Sequence, residues 1–163
     1  MALVDYFLKL EGIEGESQDA NHKGEIMIQS WSWGESRPIP SAGGGGAISP
    51  PRVGMQDFQF VMNLNKASVK LALACATGQS IKSAVLSCRK AGREQQEFFK
   101  ITLSDLLVTA FQSGGTLGGD ALPHDQVSLA FLKIQFEYKE QKPDGTLGAP
   151  ITAGWDVKTN RPI

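Results

Sequence analysis

Two cysteines, two histidines and almost no surplus of either charge leave this 163-residue chain with few of the groups that usually carry chemistry. Sixteen Lys and Arg stand against seventeen Asp and Glu, so no net field draws the chain to a phosphate backbone or to an anionic lipid surface. Nucleic acid is not an expected partner. Membrane insertion is not expected either, because no apolar run nears the ~20 residues that a helical span needs. The N-terminal run MALVDYFLKLEG holds Asp5 and Lys9, and charges there break the core of a signal peptide. The expectation is a chain that starts in the cytoplasm.

Scarcity also bears on catalysis and metals. Cys75 and Cys88 fall in segments that read as a helix and a strand, where reduced thiols serve as small core residues. With His22 and His124 they match no zinc spacing, so no metal or cofactor is expected. The run AGGGGA lacks the Lys-Ser/Thr and the following helix that make a phosphate cradle. His22 and Glu25 precede a strand and read as a turn contact. His124 with Asp125, and Ser104 with Asp105, have no motif that would position them as a triad. Arg89, Lys90 and Arg93, balanced by Glu94 and Glu97, read as a small solvated cluster. No catalytic residue is expected.

What is present is alternation. Leu3 to Leu10 and Asp57 to Leu64 read as half-buried strands, Ser83 to Arg89 as a weaker one, and Glu97 to Phe111 and Gln126 to Lys139 as two long ones. In the stretch from Gly15 to Gly34 the apolar side chains fall on Ile26 and Ile28, then on Trp31 and Trp33. A strand has period two, so this swap calls for an extra residue near Gln29 and Ser30. Trp31 and Trp33 then face a core, and Ser30 and Ser32 face away from it. A similar phase change follows Phe131. Fourteen residues at ~3.3 Å each would overshoot a globule of this length, so the sheets must curl, and stretches apolar on both faces point to cover by another subunit.

Lys66 to Thr77 is the one helix expected, with Ser68 as a candidate N-cap, Gly78 as its left-handed stop, and Val69, Ala72, Leu73 and Ala76 as the stripe that docks on the sheet. The fold class is mainly β: a small barrel of two curved, mostly antiparallel sheets with one helix, in a single domain over residues 1–163. The conspicuous irregular insert, 37–54, holds Gly43, Gly44, Gly45 and Gly46 among prolines, with Arg37 and Arg52 near its ends. An irregular loop of that length between good strands reads as a contact arm.

In order and spacing, GESQDANHKGEI, WSWG, the glycine-rich insert, RKAG at Arg89 to Gly92 and the closing GWDVKTNRP resemble the hemolysin-coregulated protein family, inner-tube subunits of the bacterial type VI secretion system. The resemblance implies homohexameric rings that stack into a tube, with sheath proteins, a spike protein and secreted effectors as partners. It also implies export without a signal peptide, into the medium or a target cell. It assigns the insert to contacts between rings and Ser32, with Ser30 on the same face, to a cargo-bearing lumen. The alternatives on the residues alone are a phage-like tail tube, which shares the physics, and a ligand-binding barrel with the indoles lining its pocket.

Overall fold

The structure, a computed structural model, describes residues 4–38, 52–91, 95–119 and 122–163. In chain order its elements are β1 (Val4–Leu10), β2 (Ile26–Ile28), β3 (Ser30–Ser32), β4 (Glu35–Ser36), β5 (Gly54–Met55), β6 (Phe58–Asn63), α1 (Lys66–Thr77), β7 (Ser80–Lys90), β8 (Gln96–Gly114), β9 (His124–Gln141), β10 (Leu147–Asp156) and β11 (Arg161–Pro162). Nine strands form one sheet in the order β11-β10-β9-β8-β7-β1-β2, with β6 joined to β9 and β3 to β6. The remaining two, β4 and β5, form a separate ribbon. The expected pair of curved sheets is thus one curved sheet and a ribbon. The path is not closed by a continuous ladder.

Bends account for the shape. The phase swap between Ile28 and Trp31 is a change of partner: β2 pairs with β1, β3 pairs with β6, and between them the Gln29 amide donates to the Val61 carbonyl at 2.8 Å. In the long hairpin, the buried side of β8 passes from Ile101 and Leu103 to Leu106 and Val108. The residue that absorbs the shift is Asp105, at φ 56°, which falls between the pairs Ser104↔Lys133 and Leu106↔Phe131. On β9 the same corner moves the buried side from Phe131 to Ile134. A second irregularity between Val108 and Ala110 leaves Thr109 without an opposite residue, and its hydroxyl donates to Asp57 at 2.7 Å. These devices let strands of 19 and 18 residues turn a corner together.

The core lies on the concave side, around Phe58, Phe60, Met62, Leu86, Leu103, Leu106 and Leu129. Helix α1 is capped by Asn65, whose side chain accepts from the Ala67 amide at 2.8 Å. Ser68, the expected cap, instead sits one turn in and accepts from the Asn65 amide at 3.0 Å. Its hydroxyl donates to the buried carboxylate of Asp125 on β9, which fixes the helix start to the sheet. Gly78 ends the helix at φ 70°, its amide donating to Ala74 at 3.0 Å.

The docked face differs from the expected stripe. Ala67, Ser68, Leu71 and Ala74 are buried, whereas Val69 and Leu73 are 76% and 60% exposed. Both stripes have helical spacing, and the one with smaller residues lets the backbone approach the sheet closely.

Candidate functional site

Strand alternation divides the sheet around β3, β6, β9 and β8 into two faces of opposite character. Trp31, Phe60, Val127 and Phe111 align across the four strands on the core side. On the other side the register places Ser30 opposite Val61, Gln126 and Gln112, and Ser32 opposite Gln59 and Ser128. Ser30, Ser32, Gln59, Gln126 and Gln112 are exposed. This patch presents hydroxyl and amide groups and no charge; the first ionisable groups met along it are His124 at one end and Asp57 at the other. It can form neutral hydrogen bonds with many surfaces and selects strongly for none of them.

The two indoles sit behind that face. Trp31 stacks on Phe58 and Phe99, with ring centroids 6.0 and 6.2 Å apart, and Trp33 packs on Phe136 at 5.2 Å. Both are half-buried and packed against the core rather than fully enclosed in it. Trp33 lies just past the end of β3.

A second feature is the far end of the sheet. Register aligns Leu103, Ile134 and Trp155, then Ile101, Phe136 and Ala153, then Phe99, Tyr138 and Ile151. This apolar grid begins inside the core, where Ile134 is fully buried, and runs out into solvent, where Tyr138 is 46% and Ile151 66% exposed. Among the described residues the outer edge of β10 meets β11 at Trp155 and Asp156, and the Gly154 carbonyl accepts from the Ile163 amide at 3.2 Å. Beyond them, Leu147 to Gly154 carries no charge. An uncharged, half-open edge beside an exposed apolar face is a template for pairing, blunted here by Pro150 and a register shift.

The third feature is buried charge that the sequence pattern hides. Phe7 points away from the main core, and the polar turn before β2 folds over it. The turn is tied by the Gly15 amide to Gly24 at 2.8 Å and the Ser17 amide to Glu25 at 3.0 Å. His22 stacks on Phe7 at 4.3 Å, and the Arg89 guanidinium lies 4.7 Å from the same ring. Arg89 is 4% exposed rather than solvated, and reaches Asp5 at 3.1 Å and Asp19 at 2.9 Å. The hydrogen bond from Arg89 holds the Asp19 carboxyl down at about 2, and Asp19 in turn raises Arg89. His22 Nδ1 is 2.6 Å from Glu25, and Nε2 is 2.5 Å from Glu97 but off the line of a hydrogen bond. Each ring nitrogen faces its own carboxylate, so the cluster fastens the turn to β1, β7 and β8. Among the described residues no three His, Cys, Asp or Glu side chains converge as a metal site.

Of the expected arm, Arg37 and Arg52 are exposed, and Gly43, Gly44, Gly45 and Gly46 lie outside the described residues. The arm leaves the body through the β4–β5 ribbon, paired at Glu35↔Met55 and Ser36↔Gly54. A depression of about 410 Å³ at the ribbon's base is lined by Glu35, Ser36, Arg37, Val53 and Trp155.

Comparison with known proteins gives one consistent answer. The family model described as "Type VI secretion system effector, Hcp" matches residues 7–138. "Protein hcp1" of Pseudomonas aeruginosa is 39% identical over 159 residues, covering 96% of this chain and 97% of that protein. Among solved structures, Hcp1 from Salmonella typhimurium superposes with a TM-score of 0.80 at 35% identity, each chain covered in full. A structure described as a type six secretion system protein reaches a TM-score of 0.91 at 26% identity, covering 99% of this chain and all of that one.

Proposed function

The chain belongs to the Hcp family of type VI secretion system proteins, and on that premise we propose that it is a structural subunit whose copies close into hexameric rings and stack into a tube that carries effectors. No catalysis is assigned to it. The observation that carries this reading is the apolar grid of Phe136, Tyr138, Ala153 and Ile151, which leaves the core beside Trp33 and runs out into solvent at Tyr138 and Ile151. A head-to-tail contact that closes into a ring covers such a face and occupies such an edge without leaving any subunit exposed.

In the closed ring the charge-free face of Ser30, Ser32, Gln59 and Gln126 lines the lumen, where cargo meets hydroxyl and amide groups. The arm that leaves through β4 and β5 reaches the next ring. Sheath, spike and effectors are the partners of such a tube, and the chain leaves the cytoplasm with it, without a signal peptide. A ligand-binding barrel fits less well, since Trp31 and Trp33 turn their rings to Phe58, Phe99 and Phe136.

Light scattering and negative-stain imaging of the purified protein test the reading. Annular particles of six subunits support it; a monomer at every accessible concentration overturns it. In the ring, Ser32→Glu should leave assembly intact and reduce effector co-purification. Loss of the fold in that variant would mean that the position is not an open lumen surface.

A further inference from the structure

The long hairpin of β8 and β9 ends on a leucine in open solvent. Residues 113–119, SGGTLGG, carry no charge. Gly118, at φ 94°, takes the left-handed position of the turn, a place that favours glycine. The residue before it, Leu117, is fully exposed, and nothing in the turn's geometry asks for an apolar side chain there.

One exposed leucine is ordinary on a protein surface. What singles this one out is a complementary feature at the other end of the same sheet. Starting beside the tip, β6 pairs with β9 from Asn63↔His124 to Phe58↔Leu129, and β3 follows β6 as far as Ser32↔Gln59. The Gln56 amide then donates to the Gly34 carbonyl at 2.9 Å, and the β4–β5 ribbon carries the same two strands on to Ser36↔Gly54. The tip and the ribbon therefore stand at opposite ends of the sheet that bears Ser30 and Ser32.

At the ribbon's base the depression of about 410 Å³ is lined by Val53 and the Trp155 indole together with Glu35, Ser36 and Arg37. The buried Trp155 Nε1 has no acceptor among the described residues, and a donor left so costs free energy. A tip flanked by glycines presents carbonyls that no side chain screens, together with one apolar side chain. Lying at opposite ends, the two features meet between copies arranged head to tail and not within one chain.

We propose that Leu117 of one copy seats in the ribbon-base depression of a copy in the adjoining ring, so that the hairpin tip and the base of the arm form one contact between rings. The inference rests on the tube reading. Its test is cross-linking of assembled Leu117→Cys/Ser36→Cys protein on mild oxidation, with each single variant as the control for Cys75, which is half-buried. A Leu117→Asp variant is imaged in parallel for rings and for stacks. Leu117 and Ser36 are both exposed, so the variants fold.

The expected result is reducible cross-links between rings in the double variant alone, and normal Leu117→Asp rings whose stacking is weakened about tenfold or more, as for loss of a central contact. Stacked rings of the double variant that do not cross-link, or undiminished stacking of Leu117→Asp, overturn the contact and leave the tube reading standing. Cross-links confined to single rings, or rings lost in Leu117→Asp, also overturn it, and assign the tip to ring closure. A parent chain that forms no rings overturns the tube reading itself, and this inference with it.

Discussion

Ile151→Lys separates folding from assembly. Ile151 projects from β10 beside Tyr138 and is 66% exposed in the single chain, so its replacement removes little that the isolated fold uses, and the thermal midpoint of the monomer should move by no more than ordinary surface substitutions move it. The proposed ring buries the same side chain. Completing the burial of an isoleucine that is already one-third covered forgoes roughly 1.5 kcal/mol, from about 25 cal/mol per Å² of apolar area, before the cost of desolvating an ammonium group. That is at least about tenfold per interface. A subunit in a closed ring is held on two sides, so its removal becomes easier by roughly a hundredfold or more. Sedimentation or light scattering over a dilution series reads the shift, with thermal unfolding of the dissociated variant as the control. Rings that persist to the same dilution as the parent refute the assignment of this face. A monomer that melts far below the parent refutes the claim that the face is spare.

Other perturbations test the remaining parts. A Cβ on Gly15 would sit 2.5 Å from the Glu25 carbonyl oxygen and 2.7 Å from the Ile26 Cα, backbone atoms that cannot swing aside, so Gly15→Ala should destabilise the fold by about 1–3 kcal/mol in chemical denaturation. A neutral outcome would mean that the turn lies further from β2. Asp19 is held at about 2 against an ordinary 3.8. A lowered folded-state value contributes stability above the unfolded one, and that contribution is lost as pH falls from about 4 towards 2; Asp19→Asn should flatten the stability profile across that window and nowhere else. Deleting Gly43 to Gly46 should leave rings intact and impair their stacking in a polymerisation assay. Unchanged stacking would remove the arm from the contact between rings.

The strands were legible because alternation is local. Phe58, Phe60 and Met62 declare one face of β6 without reference to anything else, and Ser30 and Ser32 separate from Trp31 on the same ground. The bends were legible only as phase changes. That a residue must absorb the shift follows from the pattern after Phe131; that Asp105, on the opposite strand, takes the positive φ does not. The helix stop is written in Gly78, but its cap is Asn65 rather than the expected Ser68, and its docked face is not legible, because Ala67-Leu71-Ala74 and Val69-Leu73-Ala76 are equally periodic and the larger residues give the wrong weight to the second. Arg89 was read as solvated because a charge at a strand end usually is. Only the fold brings Phe7, His22, Asp5 and Asp19 around it, from positions up to 84 residues away. The residues of that cluster are visible in the sequence, and nothing in their spacing announces that they meet.

The same devices that make the subunit foldable make it incomplete. Bends at Gln29, Asp105 and Thr109 allow strands of up to 19 residues to wrap one core, yet the ends of β9 and β10 run past it. A monomer of 17.6 kDa exposes roughly 7,900 Å² by size scaling, whereas this chain exposes 10,452 Å². Of the surplus, about 2,500 Å², two contacts of ordinary size would cover roughly 1,600 Å², about 800 Å² on each side of the subunit. A head-to-tail ring gives every member two such contacts. On the proposed ring, incomplete closure of the single chain and closure of the assembly are one property: a neighbour's surface supplies the cover that the chain's own core does not.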